Sequence, residues 1–212
     1  ANASAPDTDD SNWRVLNLPH DWSIEADFSL DNPATPGGGA LPGGMGWYRK
    51  HFKLPESDKG KVIYIDFDGV YRNSRVWLNG HLLGFRPNGY VSFRYDLTPY
   101  LNYGKEENVL VVQADNSDQP NSRWYSGSGI YRNVWLVKTG QVHVDNWGTN
   151  ITTLVMNADK STVEIETTLK NEASDVTVEV STLIQDKEGK TLYRISSPVE
   201  IAVGGKKTVT HT

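Results

Sequence analysis

Arg123, Trp124 and Tyr125 stand side by side in a fourteen-residue stretch, Asn121 to Val134, that also holds Gly127, Gly129, Tyr131 and Arg132. Three aromatics, two arginines and two glycines in so short a segment are more than a packed core requires. Aromatic faces stack on the C–H surfaces of pyranose rings and arginine forks bind hydroxyls, so the mixture suits a sugar-facing rim. The plainer alternative is a tight turn between two strands, because glycine serves strained turn positions and tyrosine is common in strands. Composition leaves both open.

Other chemistry is sparse. The chain has no cysteine, which excludes a disulfide framework, a thiolate metal site and a cysteine nucleophile. Its five histidines, at 20, 51, 81, 143 and 211, show no metal-ligand spacing, so no metal and no cofactor are expected. His20, Asp21 and Trp22 lack an accompanying serine nucleophile motif. Their expected role is structural, with His20 and Asp21 bonding backbone and Trp22 burying apolar area. Gly37-Gly38-Gly39 is not followed by Lys-Ser/Thr and is no phosphate loop. A net charge of -5 and the absence of a basic stripe argue against a nucleic-acid partner. No apolar run approaches about 18 residues, so no membrane partner is expected.

The elements that must position these residues are strands. Lys61–Phe67, Ser74–Leu78, His81–Phe85, Val91–Tyr95, Asn108–Gln113 and Asn133–Val137 carry strand patterns, and Asn79-Gly80 marks a hairpin tip. No stretch before residue 140 has a sustained helical period. The predicted class is all-β: a jelly-roll β-sandwich, followed by an immunoglobulin-like β-sandwich. Six of seven Trp, all five Phe and nine of ten Tyr precede residue 140, which sets the boundary. Residues 1–11 are expected to be disordered, 12–139 to form the jelly roll and 140–212 the second sandwich. An immunoglobulin-like sandwich needs about seven strands over roughly 100 residues. The five or six strands legible from Gln141 to Thr212 therefore lead us to expect an incomplete domain with open edges. The long connection from Trp22 to Gly46 is expected to be functional or disordered.

Leu18-Pro19-His20-Asp21-Trp22, Gly44-Met45-Gly46-Trp47-Tyr48-Arg49-Lys50, Phe67-Asp68-Gly69-Val70, Val76-Trp77-Leu78-Asn79-Gly80, Asp96-Leu97-Thr98 and the Arg123–Val134 segment occur in an order that resembles the N-terminal region of glycoside hydrolase family two, and most of all its bacterial β-galactosidases. The resemblance covers residues 12 to 212. It implies a jelly-roll sugar-binding domain of galactose-binding-like type, then an immunoglobulin-like domain, then a downstream TIM barrel that supplies both catalytic glutamates. A retaining glycosidase needs two carboxyl groups roughly 5 to 5.5 Å apart, one to protonate the leaving oxygen and one to attack. Neither catalytic glutamate is expected in this chain, so it is expected to be inactive alone.

The resemblance makes Arg123 the first candidate for the substrate rim; its alternatives are stacking on Trp124 or pairing with Asp118. Trp124 and Tyr125 either stack on sugar or pack the loop. Asp115 and Asn116 orient the loop, hold a cation, or cap the turn after their strand. The expected function is that of a non-catalytic N-terminal portion of a glycosidase that cleaves terminal β-glycosidic bonds. Rival readings are a freestanding carbohydrate-binding module and a structural or adhesion protein. The partners implied are a carbohydrate substrate, the downstream barrel and a second copy of the chain through the incomplete domain. The small polar start and the resemblance imply a periplasmic or secreted protein.

Overall fold

The structure, a computed structural model, describes residues 3–212. The chain divides into two compact units, one ending at Lys138 and one beginning at Thr139.

The first unit contains β1 (Gly44–Phe52), β2 (Val62–Phe67), β3 (Ser74–Leu78), β4 (His81–Arg86), β5 (Phe93–Asp96), β6 (Asn108–Asn116) and β7 (Val134–Thr139). They form two sheets, ordered β1-β6-β3-β4 and β5-β2-β7. The core lies between them, built on Ile65 and Phe67 of β2, Val76 and Leu78 of β3, and Leu110 and Val112 of β6. β2 and β6 have neighbours on both sides and are buried almost throughout. Their near-continuous apolar runs are what such central strands require. Each fully buried Phe or Leu contributes about 1.5–3 kcal/mol relative to exposure.

The turn between β3 and β4 falls where Asn79-Gly80 predicts it, with φ of 50° and 84°. Positive φ at both residues is the type I′ geometry that lets two strands reverse without splaying. Asn79 does more than turn: its Oδ1 accepts from Val109 N at 2.8 Å and its Nδ2 donates to the Tyr100 carbonyl at 2.7 Å.

β1 carried no strand prediction. Its glycines and the run Arg49-Lys50-His51 hide the alternation, yet nine residues pair with β6 from Gly44↔Asn116 to Phe52↔Asn108. On this edge strand Arg49 organises the N-terminal segment expected to lack order. Its Nε donates to Asp10 Oδ2 at 2.8 Å, and its two terminal nitrogens reach the carbonyls of Ala3, Ala5, Pro6 and Thr8 at 2.9 to 3.3 Å. The Arg49 side chain is 1% exposed. Ala1 and Asn2 lie outside the described residues.

The second unit contains β8 (Val142–Met156), β9 (Ser161–Asn171), β10 (Val176–Gln185), β11 (Thr191–Ile201) and β12 (Lys206–His211). Its sheets run β12-β9-β8 and β10-β11, over a small core of Leu169, Val180, Val199 and Ile201. What reads as two strands at 142–144 and 150–155 is one strand, whose register shifts between Val144 and Thr149. β11 is longer than its apolar Val199–Ala202 signal. His211 is buried at the end of β12, bonded to Thr182 Oγ1 at 2.8 Å and Ser197 Oγ at 3.0 Å.

Candidate functional site

The chain leaves β6 at Asn116 and enters β7, in the other sheet, at Val134, so residues 117–133 form one long loop. Its second half is not free. His20 N donates to the Ile130 carbonyl at 2.8 Å and Trp22 N to the Ser128 carbonyl at 3.1 Å, while Tyr71 and Gly129 exchange two backbone bonds of 2.9 Å. Residues 127–130 are therefore buried between two neighbouring segments. The glycines of Ser126-Gly127-Ser128-Gly129 follow from this. Gly127 and Gly129 have φ of +71° and +120°, and a Cβ on Gly129 would stand 2.2 Å from Tyr48 Oη.

A polar clamp fixes the loop from beneath. Asp21 Oδ1 accepts from Ser128 N at 2.8 Å and Ser23 N at 2.9 Å, and Asp21 Oδ2 accepts from the Tyr125 hydroxyl. Burial and the adjacent Asp21 carboxylate push the Tyr125 phenol above its usual range, so it remains a donor. Ser23 Oγ meets Pro42 O and Ser128 Oγ at 2.5 and 2.7 Å. Trp22 Nε1 donates to Gly43 O at 3.0 Å. The long connection between Trp22 and β1 is thus pinned near both ends, and two 3₁₀ turns, Ser23–Glu25 and Pro36–Gly38, lie within it. His20 bonds backbone through its main chain, while its ring bonds Tyr48 Oη at 2.8 Å and Arg14 at 2.9 Å. Burial raises the Tyr48 phenol to about 12.

The sequence candidates separate into anchors and exposed groups. Asn116 is 1% exposed; its Nδ2 donates to Gly127 O at 2.9 Å and Ser128 Oγ at 2.8 Å, and its Oδ1 accepts from Asn121 Nδ2 at 2.6 Å. Asp115 Oδ1 accepts from the backbone and hydroxyl of Ser117, a turn cap. Tyr125 belongs to the clamp while keeping 41% of its surface exposed. Trp124 is 63% exposed and Arg123 is exposed. Asp118, the alternative partner for Arg123, pairs with Arg72 at 2.8 Å instead. Among the described residues Arg123 makes no hydrogen bond or ion pair.

Tyr90 was not among the candidates. It is 53% exposed, and its hydroxyl accepts from Trp124 Nε1 at 3.4 Å. The available signal was the Pro87-Asn88-Gly89 turn that ends in an aromatic.

Chemically, the loop offers recognition. The Asp21 carboxylate is occupied by three donors, and among the described residues no three His, Asp or Glu side chains gather as a metal would require. The fold and loop define the class of the chain: an all-β protein of two sandwiches whose first unit presents aromatic and arginine side chains on one anchored loop.

The comparisons identify the family. The model described as "Glycosyl hydrolases family 2, sugar binding domain" matches residues 12–140, and the chain belongs to this family. It is 59% identical over 170 residues to the β-galactosidase BoGH2A of Bacteroides ovatus, and 44% identical over 167 residues to a putative β-glucuronidase of Formosa agariphila. These alignments take in 80% and 79% of this chain but only 20% and 16% of the relatives. A crystal structure of a family 2 member from Bacteroides cellulosilyticus superposes over 100% of this chain and 28% of its own length, at 39% identity and a TM-score of 0.95.

Proposed function

We propose that this chain is the non-catalytic N-terminal portion of a retaining β-galactosidase that removes terminal β-linked sugars. In the complete enzyme it braces a downstream catalytic barrel and contributes Arg123, Trp124 and Tyr125 to the substrate rim. The catalytic carboxyls come from that barrel, and the 212 residues alone do not hydrolyse glycosides. The observation carrying this reading is a contrast at one loop: Asn116, Asp21 and Ser128 anchor its base, while Arg123 is exposed and, among the described residues, unpaired. An exposed arginine on an anchored loop keeps its donors available to a sugar hydroxyl. Similarity to the Bacteroides ovatus β-galactosidase supports the galactoside substrate.

The test is Arg123→Ala in the full-length enzyme, assayed on a β-galactoside. A hydrogen bond from a charged donor is worth about 1.5–3 kcal/mol, so kcat/KM should fall roughly tenfold to 150-fold. An unchanged value removes Arg123 from the rim. On the same reading the protein is exported, which cell fractionation of the source organism checks. The β10-β11 sheet also has an open edge along β10, through which two copies of this chain pair.

A further inference from the structure

Beside Arg123 lies a shelf assembled from three separate loops. Tyr71 forms its floor at 5% exposure, with Tyr90 against it at 5.3 Å between centroids and an interplanar angle of 61°. Trp124 reaches the same place and is joined to Tyr90 by the indole N–H. Both upper rings are more than half exposed. Aromatic surface left in water on a single spot is a mark of a binding site.

The shelf is prebuilt. Asn88 Oδ1 accepts from Tyr90 N at 2.8 Å, and the Tyr131 hydroxyl donates to the Gly89 carbonyl at 2.7 Å. The 87–90 turn presses on the floor so closely that a Cβ at Gly89 would stand 2.2 Å from the Tyr71 ring. Ser122 Oγ donates to the Trp124 carbonyl at 2.5 Å, and Tyr71 is tied to Gly129 through its backbone. Rings held in this way lose little conformational entropy on binding.

We infer that Tyr90 and Trp124 form a stacking subsite for one or more pyranose units of a β-linked oligosaccharide, with Arg123 donating to the hydroxyls at its edge. A pyranose with equatorial substituents presents a flat C–H face bordered by hydroxyls, which suits two exposed aromatic rings with an exposed arginine next in sequence to one of them, unpaired among the described residues. A protein partner would use the same residue types; the sugar is favoured because residues 12–140 match a sugar-binding domain. The inference rests on the reading that this loop faces sugar. Binding is measured on the 212-residue chain itself, so failure here leaves the full-length Arg123→Ala assay to decide the rim separately.

The experiment titrates the chain with cellotetraose and with lactose, following heat by calorimetry and the Trp124 indole N–H by NMR. Saturable binding of either sugar is expected, with the Trp124 indole resonance shifting. Trp124→Ala and Tyr90→Ala should each weaken it about tenfold, and Arg123→Gln by a smaller factor. Trp147→Ala, at an exposed tryptophan of the second unit, should leave affinity unchanged. Circular dichroism confirms that each variant is folded. Absence of saturable binding at millimolar sugar overturns the inference, as does equal binding by folded Trp124→Ala. Loss of self-association in Trp124→Ala, with no sugar binding in the parent, assigns the shelf to a protein interface instead.

Discussion

The Tyr125 hydroxyl donates to the Asp21 carboxylate across 104 residues of sequence, and the same carboxylate accepts the backbone N–H of Ser128. One acidic side chain near the beginning of the chain thereby sets the position of both the buried and the exposed half of the loop that follows β6. Tyr125→Phe leaves Asp21 Oδ2 without its donor and should cost about 1–2 kcal/mol of unfolding free energy. Asp21→Asn should cost more, since it replaces the charge that three donors share. A double-mutant cycle by urea denaturation should give a coupling of about 0.5–3 kcal/mol between the two positions. Strict additivity would mean that the contact contributes nothing.

Gly129→Ala tests how tightly the loop base is packed. The added methyl meets Tyr48 Oη in a backbone region that L-residues rarely adopt. We expect a loss of at least about 2 kcal/mol, combining strain and displacement of Tyr48. Thermal unfolding of the 212-residue chain measures it, and a Tm equal to the parent's would show that the loop base yields easily.

His51 lies between two carboxylates, with Nε2 2.8 Å from Asp10 Oδ2 and Nδ1 3.0 Å from Glu107 Oε2. The Asp10 hydrogen bond, and then Glu107, raise the imidazole above its ordinary value against a lesser desolvation penalty. Arg49, and then His51, hold Asp10 below the usual carboxylate range. The His51 contribution is fully present below its unfolded value of about 6.5 and is lost as pH rises through its higher folded value. The Asp10 contribution is present above about 3.9 and is lost as pH falls through its lower folded value. The stability gap between the parent and His51→Gln should therefore be widest near pH 5 to 6 and shrink toward pH 9. Unfolding curves across that range check it, and a gap that widens with pH would reverse the assignment.

Open-edge pairing along β10 predicts concentration-dependent dimers in sedimentation equilibrium. Leu183, 46% exposed on β10, is the position at which to introduce a lysine. Leu183→Lys should shift the equilibrium to monomer by adding charge to the edge. A parent chain that is monomeric at every concentration would remove the dimer.

Strands were legible where apolar residues recur along them, in the edge strands β4, β5 and β7 as well as in the central ones. β2, β3 and β6 lie where their apolar patterns predict, because a central strand must be apolar on the faces it hides. β1 escaped because its Arg49 and His51 bond Asp10 of the N-terminal segment, so charge sits where alternation would show. The candidate loop was legible by composition, but its internal division was not. Nothing local distinguishes Asn116, an anchor with three side-chain bonds, from Asp115, a turn cap; the difference depends on which side of β6 faces Ser128. Tyr90 was hidden for a related reason. Its significance comes from Trp124, which lies 34 residues further along the chain.

The Arg49 guanidinium has a consequence for how this protein is cut. The family match begins at residue 12, yet the shell of carbonyls and carboxylate around that cation is drawn entirely from residues 3 to 10. Trimming to the boundary that similarity suggests would strip a wrapped ion and return it to water. In this module one cation, rather than a strand or a helix, ties residues 3 to 10 to the sandwich.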